Sequence, residues 1–210
     1  MVPGIDSFRE KFKDYTDYYT IIGGTACDIL LSEADLPFRA TKDIDMILIM
    51  EDNFPEFASV FWEYIKEGGY KCGWKNEQNM HLYRFTEGKF GYPTMIELFS
   101  RKPGYHLEIE EGIIPIHIDD DTSSLSAILL NDDFYKFMMS GRRVVDGIGV
   151  LGAEHLIPFK MYAWINLLDR KRAGEHVNEK DLIGVRDSFK GESISLIFVQ
   201  SCIICMFFPM

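Results

Sequence analysis

Asp43 and Asp45 stand one residue apart at the head of an apolar run, Asp43-Ile44-Asp45-Met46-Ile47. In an extended strand, alternation puts both carboxylates on one face and turns Ile44 toward the core. Two such carboxylates can hold a pair of Mg²⁺ ions roughly 4 Å apart, which is the arrangement that drives metal-dependent attack at phosphorus. A third acid on a neighbouring strand would complete the set. Glu97 is the candidate, as a lone acid within Met95-Ile96-Glu97-Leu98-Phe99. A carboxylate in an apolar strand is costly without a cation or a donor nearby. Upstream, Gly23-Gly24 follows an apolar run and precedes a helix expected from Thr25. Uncluttered backbone at a helix N-terminus can take a triphosphate, and the Thr25 hydroxyl would be a further donor. Gly-Gly alone and Asp-x-Asp alone are weak signals. The plainer reading of the two aspartates is a solvated strand start or a helix cap.

These residues need elements to hold them. An amphipathic stripe of Ile5, Phe8 and Phe12 predicts a helix over 5–15. Residues 18–22 are β-branched and aromatic and read as a strand. A helix is expected over 25–34, ended by Leu36-Pro37. The second strand, 44–50, is almost wholly apolar, as suits a strand covered on both faces. Residues 55–67 read as a helix with Phe57, Val60, Phe61 and Tyr64 inward, capped by Gly68-Gly69. Further strands are expected at 80–85 and 94–99, with Gly88, Gly91 and Pro93 between them. Residues 103–135 give no clear pattern beyond a strand at 113–118. A hairpin is expected over 142–151, turning near Asp146-Gly147. Helical spacing then runs over 154–172 and again over 179–189. The expected class is α/β (α+β): a mixed sheet flanked by helices over 1–150, then a small helical module over 151–190.

The chain has 210 residues, 47% of them hydrophobic and 26% charged, enough to bury a core and too apolar for disorder. A net charge of −11 argues against a broad nucleic-acid-binding face. The N-terminal residues lack the apolar centre of a secretion signal. Cys27, Cys72, Cys202 and Cys205 read as reduced thiols in a cytoplasmic protein, since the Cys202–Cys205 pair has no second pair or histidine beside it. Residues 191–210 form an uncharged, apolar tail. Three readings of it stand: a buried element, an aberrant or truncated end, or a membrane anchor. Burial or aberrance is favoured, so no stable membrane association is expected.

Gly23-Gly24-Thr25-Ala26, followed by Arg39-x-Thr41-x-Asp43-Ile44-Asp45, resembles the first motif of the nucleotidyltransferase (polymerase-β-like) superfamily. The resemblance is closest to the AbiEii/AbiGii toxin-type branch. Lys160 within Leu156-Ile157-Pro158-Phe159-Lys160-Met161, and Asp169-Arg170-Lys171-Arg172 followed by Lys180-Asp181, are similar to later motifs of that branch. The resemblance spans roughly residues 18–190. It implies a mixed sheet with flanking helices, Mg²⁺, and transfer of a nucleotidyl group from an NTP. Gly23 and Gly24 would cradle phosphate, with Thr25 and Arg39 beside them. Asp43, Asp45 and Glu97 would hold metal. Lys160 would contact phosphate, while Lys180 and Asp181 would organise the far wall. The acceptor would be a tRNA end, a protein hydroxyl or a small molecule, and the branch carries the expectation of a cognate antitoxin. The sequence departs from the pattern in four ways. The interval from Gly24 to Asp43 is long, the second motif position is Gly rather than Ser, no Lys precedes the third acid, and the spacing from Arg172 to Lys180-Asp181 is stretched. An inactive nucleotide- or partner-binding module of the same fold is the alternative reading.

Overall fold

The computed structural model describes residues 2–38, 41–49, 54–73, 83–100, 106–109, 112–115, 132–175 and 177. Helix α1 (Ile5–Phe12) buries Ile5, Phe8 and Phe12, as the stripe predicts. It then tightens into a 3-10 helix over Lys13–Tyr18 rather than continuing to 15, with Tyr15 off helical dihedrals (φ −119°, ψ 20°). Tyr15, Thr16 and Tyr18 are stiff, poor helix formers, which favours a short, tight turn there. Strand β1 (Tyr19–Ile22) is buried along its whole length. Helix α2 (Gly23–Glu33) follows without a loop. It starts two residues earlier than expected, because Gly23 makes the strand-to-helix corner at φ 71°. Asp35 in the left-handed region (φ 56°) closes it. The Leu36 and Asp35 amides return to the Leu31 and Ser32 carbonyls in a Schellman pattern.

Strand β2 (Asp43–Leu48) and helix α3 (Phe54–Gly68) come next. After them come strands β3 (Lys71–Gly73), β4 (Tyr83–Thr86), β5 (Met95–Ser100), β6 (His106–Ile109) and β7 (Gly112–Pro115). Helix α4 (Asp132–Ser140), strands β8 (Arg142–Val145) and β9 (Ile148–Leu151), and helix α5 (Ala153–Arg172) complete the described order. The hairpin turns on Asp146 and Gly147, both at positive φ (47° and 73°), as a two-residue primed turn demands. Strands β3 and β6 and helix α4 are additions to the expected elements. The expected 179–189 helix and the apolar tail lie outside the described residues. Among the described residues, no helix is long and apolar enough to cross a membrane.

The main sheet is mixed, as expected, with seven described strands in the order β3-β4-β5-β2-β1-β9-β8. β1 runs antiparallel to β2 and parallel to β9, and β2 runs parallel to β5. A separate two-stranded ladder pairs β6 with β7. The register sorts side chains by face. Tyr19, Ile21, Ile44, Met46, Ile96 and Leu98 point to one side and are fully or almost fully buried. α1 and α3 cover that side with an aromatic cluster. Phe12 is its hub, with ring centroids 4.6 Å from Phe8, 5.1 Å from Tyr64, 5.8 Å from Phe57 and 6.0 Å from Phe61. We expect Phe12→Ala to lower stability by about 3–5 kcal/mol, as loss of a buried aromatic does. Urea unfolding measures it, and a loss under about 1 kcal/mol would show that the cluster can collapse into the gap.

The opposite side carries Asp43, Asp45, Ile47 and Glu97. Helix α2 lies against β1, β2, β8 and α5. Its two ends are tied down. The Thr25 hydroxyl donates to the Asp43 carbonyl, and Arg143 on β8 pairs with Glu33 at 2.9 Å. α5 packs on α4 through Phe134, Phe137, Phe159 and Tyr162, and Leu156 and Phe159 belong to the same core as the sheet.

Candidate functional site

The strand order brings the two halves of the carboxylate set together. β2 and β5 are neighbours in parallel, and their register sets Asp45 directly beside Glu97 and Asp43 beside Met95. β5 in turn pairs with β4 so that Arg84 stands opposite Glu97. A row of charge, Arg84–Glu97–Asp45, therefore crosses three adjacent strands on one face. Glu97 is buried (9% exposed) and accepts a charge-assisted hydrogen bond from the Arg84 Nε. Ile44 is fully buried between the two aspartates, as alternation predicts.

At the other edge of β2, Ile22 pairs with Asp45, so the corner into α2 sits over the Asp45 carboxyl. Gly23 is the only residue type that suits that corner. Its φ of 71° is left-handed, and a Cβ built on it would lie 2.1 Å from Asp45 Oδ2. Gly24 is in the first turn of α2, which has no acidic residue and no side-chain cap. Thr25 is fully buried, and its hydroxyl is committed to the Asp43 carbonyl. That bond fixes the start of β2 to the start of α2.

Electrostatics bear on Asp45 most strongly. Burial pushes its carboxyl up to about 7, and the negative charges of Glu97 and Asp43 add to the rise. A hydrogen bond with Glu97 favours the protonated form, while the positive charge of Lys160 on α5 opposes it. Asp43 is raised more mildly, by burial, against the opposing charges of Arg84 and Lys42. The sequence-predicted residues Gly23, Asp43, Asp45, Glu97 and Lys160 thus act on one another across four elements. Arg39, Lys180 and Asp181 lie outside the described residues. Arg84 is the residue that sequence reasoning missed. Its signal was present, as a lone cation alternating with apolar neighbours in Tyr83-Arg84-Phe85.

The donor set suits a hard divalent cation in kind: carboxylate oxygens only, of like charge, crowded and partly out of water. Among the described residues, no three metal-ligating side chains converge on one point. Glu97 engages both Arg84 and Asp45.

Fold and site together define a mixed α/β protein with a carboxylate row beside a glycine strand-to-helix corner. No protein-family model matches the sequence, and no curated protein matches it. Among solved structures, the chain is similar to the solution structure of the antibiotic-resistance factor ANT(2'')-Ia. The identity is 13%, the match covers 97% of this chain and 93% of that one, and the TM-score is 0.39.

Proposed function

We propose that this chain is a Mg²⁺-dependent nucleotidyltransferase that moves an NMP group from an NTP to an acceptor oxygen. The observation that carries the reading is the register of Asp45 beside Glu97, with Asp43 one pleat away and Gly23 against the Asp45 carboxyl. Asp43 and Asp45 would hold the metal, with Glu97 joining them. When bound, Mg²⁺ would offset charge on the triphosphate and on the attacking oxygen. Gly23 and Gly24 leave the α2 N-terminus open to phosphate, and its backbone amides are the donors available there. Lys160, whose charge already reaches Asp45, would balance the triphosphate from the α5 side. Glu97 would take the acceptor's proton. The acceptor oxygen bonds to the α-phosphorus as the bond to the β-phosphate oxygen breaks, and pyrophosphate leaves.

The acceptor would be an RNA end, a protein hydroxyl or a small molecule, and the net charge of −11 weighs against long RNA contacts. A cytoplasmic toxin with a cognate antitoxin is the finer form of the proposal. The second reading is a nucleotide- or partner-binding module without turnover. It is favoured by the pairing of Glu97 with Arg84.

Incubation with each α-labelled NTP, Mg²⁺ and the three acceptor classes decides between them. EDTA-sensitive transfer of label supports the enzyme. NTP binding with no label transferred in any combination would establish the module instead.

A further inference from the structure

Glu97 is held from two sides by groups of opposite character. From β4, the Arg84 Nε donates to its Oε1, across a register that sets the two residues directly opposite each other. From β2, Asp45 shares a hydrogen bond with it from the position directly beside it. The Glu97 side chain is 11% exposed, against 40% for Arg84. On its other flank Arg84 stands opposite Gly73 of β3, which carries no side chain. Among the described residues, Glu97 is the one side chain with which Arg84 hydrogen-bonds. A glutamate side chain is long and turns freely, and a carboxyl crowded by a second acid gains by turning out to water. Asp45 alone would not keep Glu97 in the row. A planar guanidinium with a charge-assisted bond does.

We propose that Arg84 is the positioning residue for Glu97: it fixes that carboxyl beside Asp45 and so sets the geometry of the proton-accepting group. The inference rests on the proposed transfer, in which Glu97 takes the acceptor's proton, and it adds the residue through which that base is aimed. Arg84 acts here through Glu97 and not on the nucleotide. The corner that would take the triphosphate lies on the other side of Asp45 from Arg84, since Ile22 pairs with Asp45 across β1–β2. Loss of Arg84 therefore spares NTP binding and slows the chemical step. A reacting group displaced by about 1 Å can cost about a hundred-fold in rate.

The test measures label transfer by the full chain to whichever acceptor takes label from the parent. It compares the parent with Arg84→Gln, Arg84→Lys, Glu97→Gln, and Arg84→Gln combined with Glu97→Gln. Arg84→Gln is expected to lower kcat roughly ten- to hundred-fold, with KM for the NTP within about twofold. Arg84→Lys keeps the charge without the planar donor and is expected to fall between parent and Arg84→Gln. Glu97→Gln is expected to lower kcat at least as far as Arg84→Gln. Adding Arg84→Gln to it is expected to cost nothing more, because the group being aimed is already gone. Multiplied losses in the combined variant would overturn the role, since Arg84 would then act independently of Glu97. A raised KM with kcat unchanged would overturn it as well, by making Arg84 a substrate-binding group. So would lowered melting with kcat per folded molecule intact, which marks a purely structural ion pair. If Arg84→Gln does not fold, Arg84→Lys enters the same cycle with Glu97→Gln. Transfer by the parent that Arg84→Gln leaves unchanged would overturn this inference alone. Absence of transfer by the parent to every acceptor would overturn it together with the proposed function.

Discussion

Asp45→Asn is expected to abolish nucleotidyl transfer and, at neutral pH, to make the metal-free protein more stable. The first effect rests on the proposed function, in which Asp45 would hold a cation contributing several kcal/mol at the transition state, or about a thousand-fold in rate. The second follows from the Asp45 carboxyl, which burial and its acidic neighbours raise from 3.8 to about 7. The folded chain then binds a proton that the unfolded chain has lost between about pH 4 and pH 7, so stability falls as pH rises through that window. At roughly 1.4 kcal/mol per unit, the parent gives up about 2–4 kcal/mol across the window, and the uncharged amide does not. The melting temperature of Asp45→Asn should therefore exceed the parent's by roughly 5–15 °C at pH 7.5 and converge with it near pH 4. Mg²⁺ should narrow the gap by stabilising the parent alone. Parallel pH profiles for the two proteins would show that Asp45 is not held in the crowded environment described.

Gly23→Ala is the second large effect, and it separates strain from function. A left-handed φ costs an alanine about 1 kcal/mol wherever it occurs. At Gly69, which caps α3 at φ 66° with nothing within 4 Å of a built Cβ, that strain is the whole cost. At Gly23 the new methyl also meets Asp45 Oδ2 at 2.1 Å and must displace the carboxyl. A misplacement near 1 Å at a reacting centre can cost about a hundred-fold in rate. We therefore expect both variants to lose stability, Gly23→Ala the more because of the added clash, while label transfer falls about a hundred-fold only in Gly23→Ala. Equal transfer rates for the two variants would remove Gly23 and its corner from the site.

Much of this was legible in the sequence where period and chemistry agree. Asp43-Ile44-Asp45 could be read as one-sided because a strand has a period of two, and Ile44 is indeed buried between the aspartates. The Asp146-Gly147 turn was legible because only a few residues accept two successive positive φ values. The start of α2 was misjudged by two residues because Gly23 serves strand, corner and helix at once. β3 is three residues long, too short to show any alternation. α4 opens on Asp132-Asp133, poor helix formers in general that suit only a helix's first turn, and it straddles the end of the 103–135 stretch that gives no clear pattern. Arg84 escaped for a different reason. Its meaning depends on standing across the ladder from Glu97, and strand order is a property of the whole sheet that no local window contains.

Strand β1 is flanked by β2 on one side and β9 on the other, and Ile21 pairs with Met46 and Val150. The first partner emerges soon after β1 during synthesis, but the second emerges only after most of the described chain has been made. At about 5–20 residues per second, the growing chain carries an unpaired, largely apolar β1 flank for on the order of ten seconds. For that interval the sheet edge bordering the glycine corner is open to any passing strand. Elongation speed and chaperone supply therefore join sequence and temperature among the determinants of how much active protein a cell obtains.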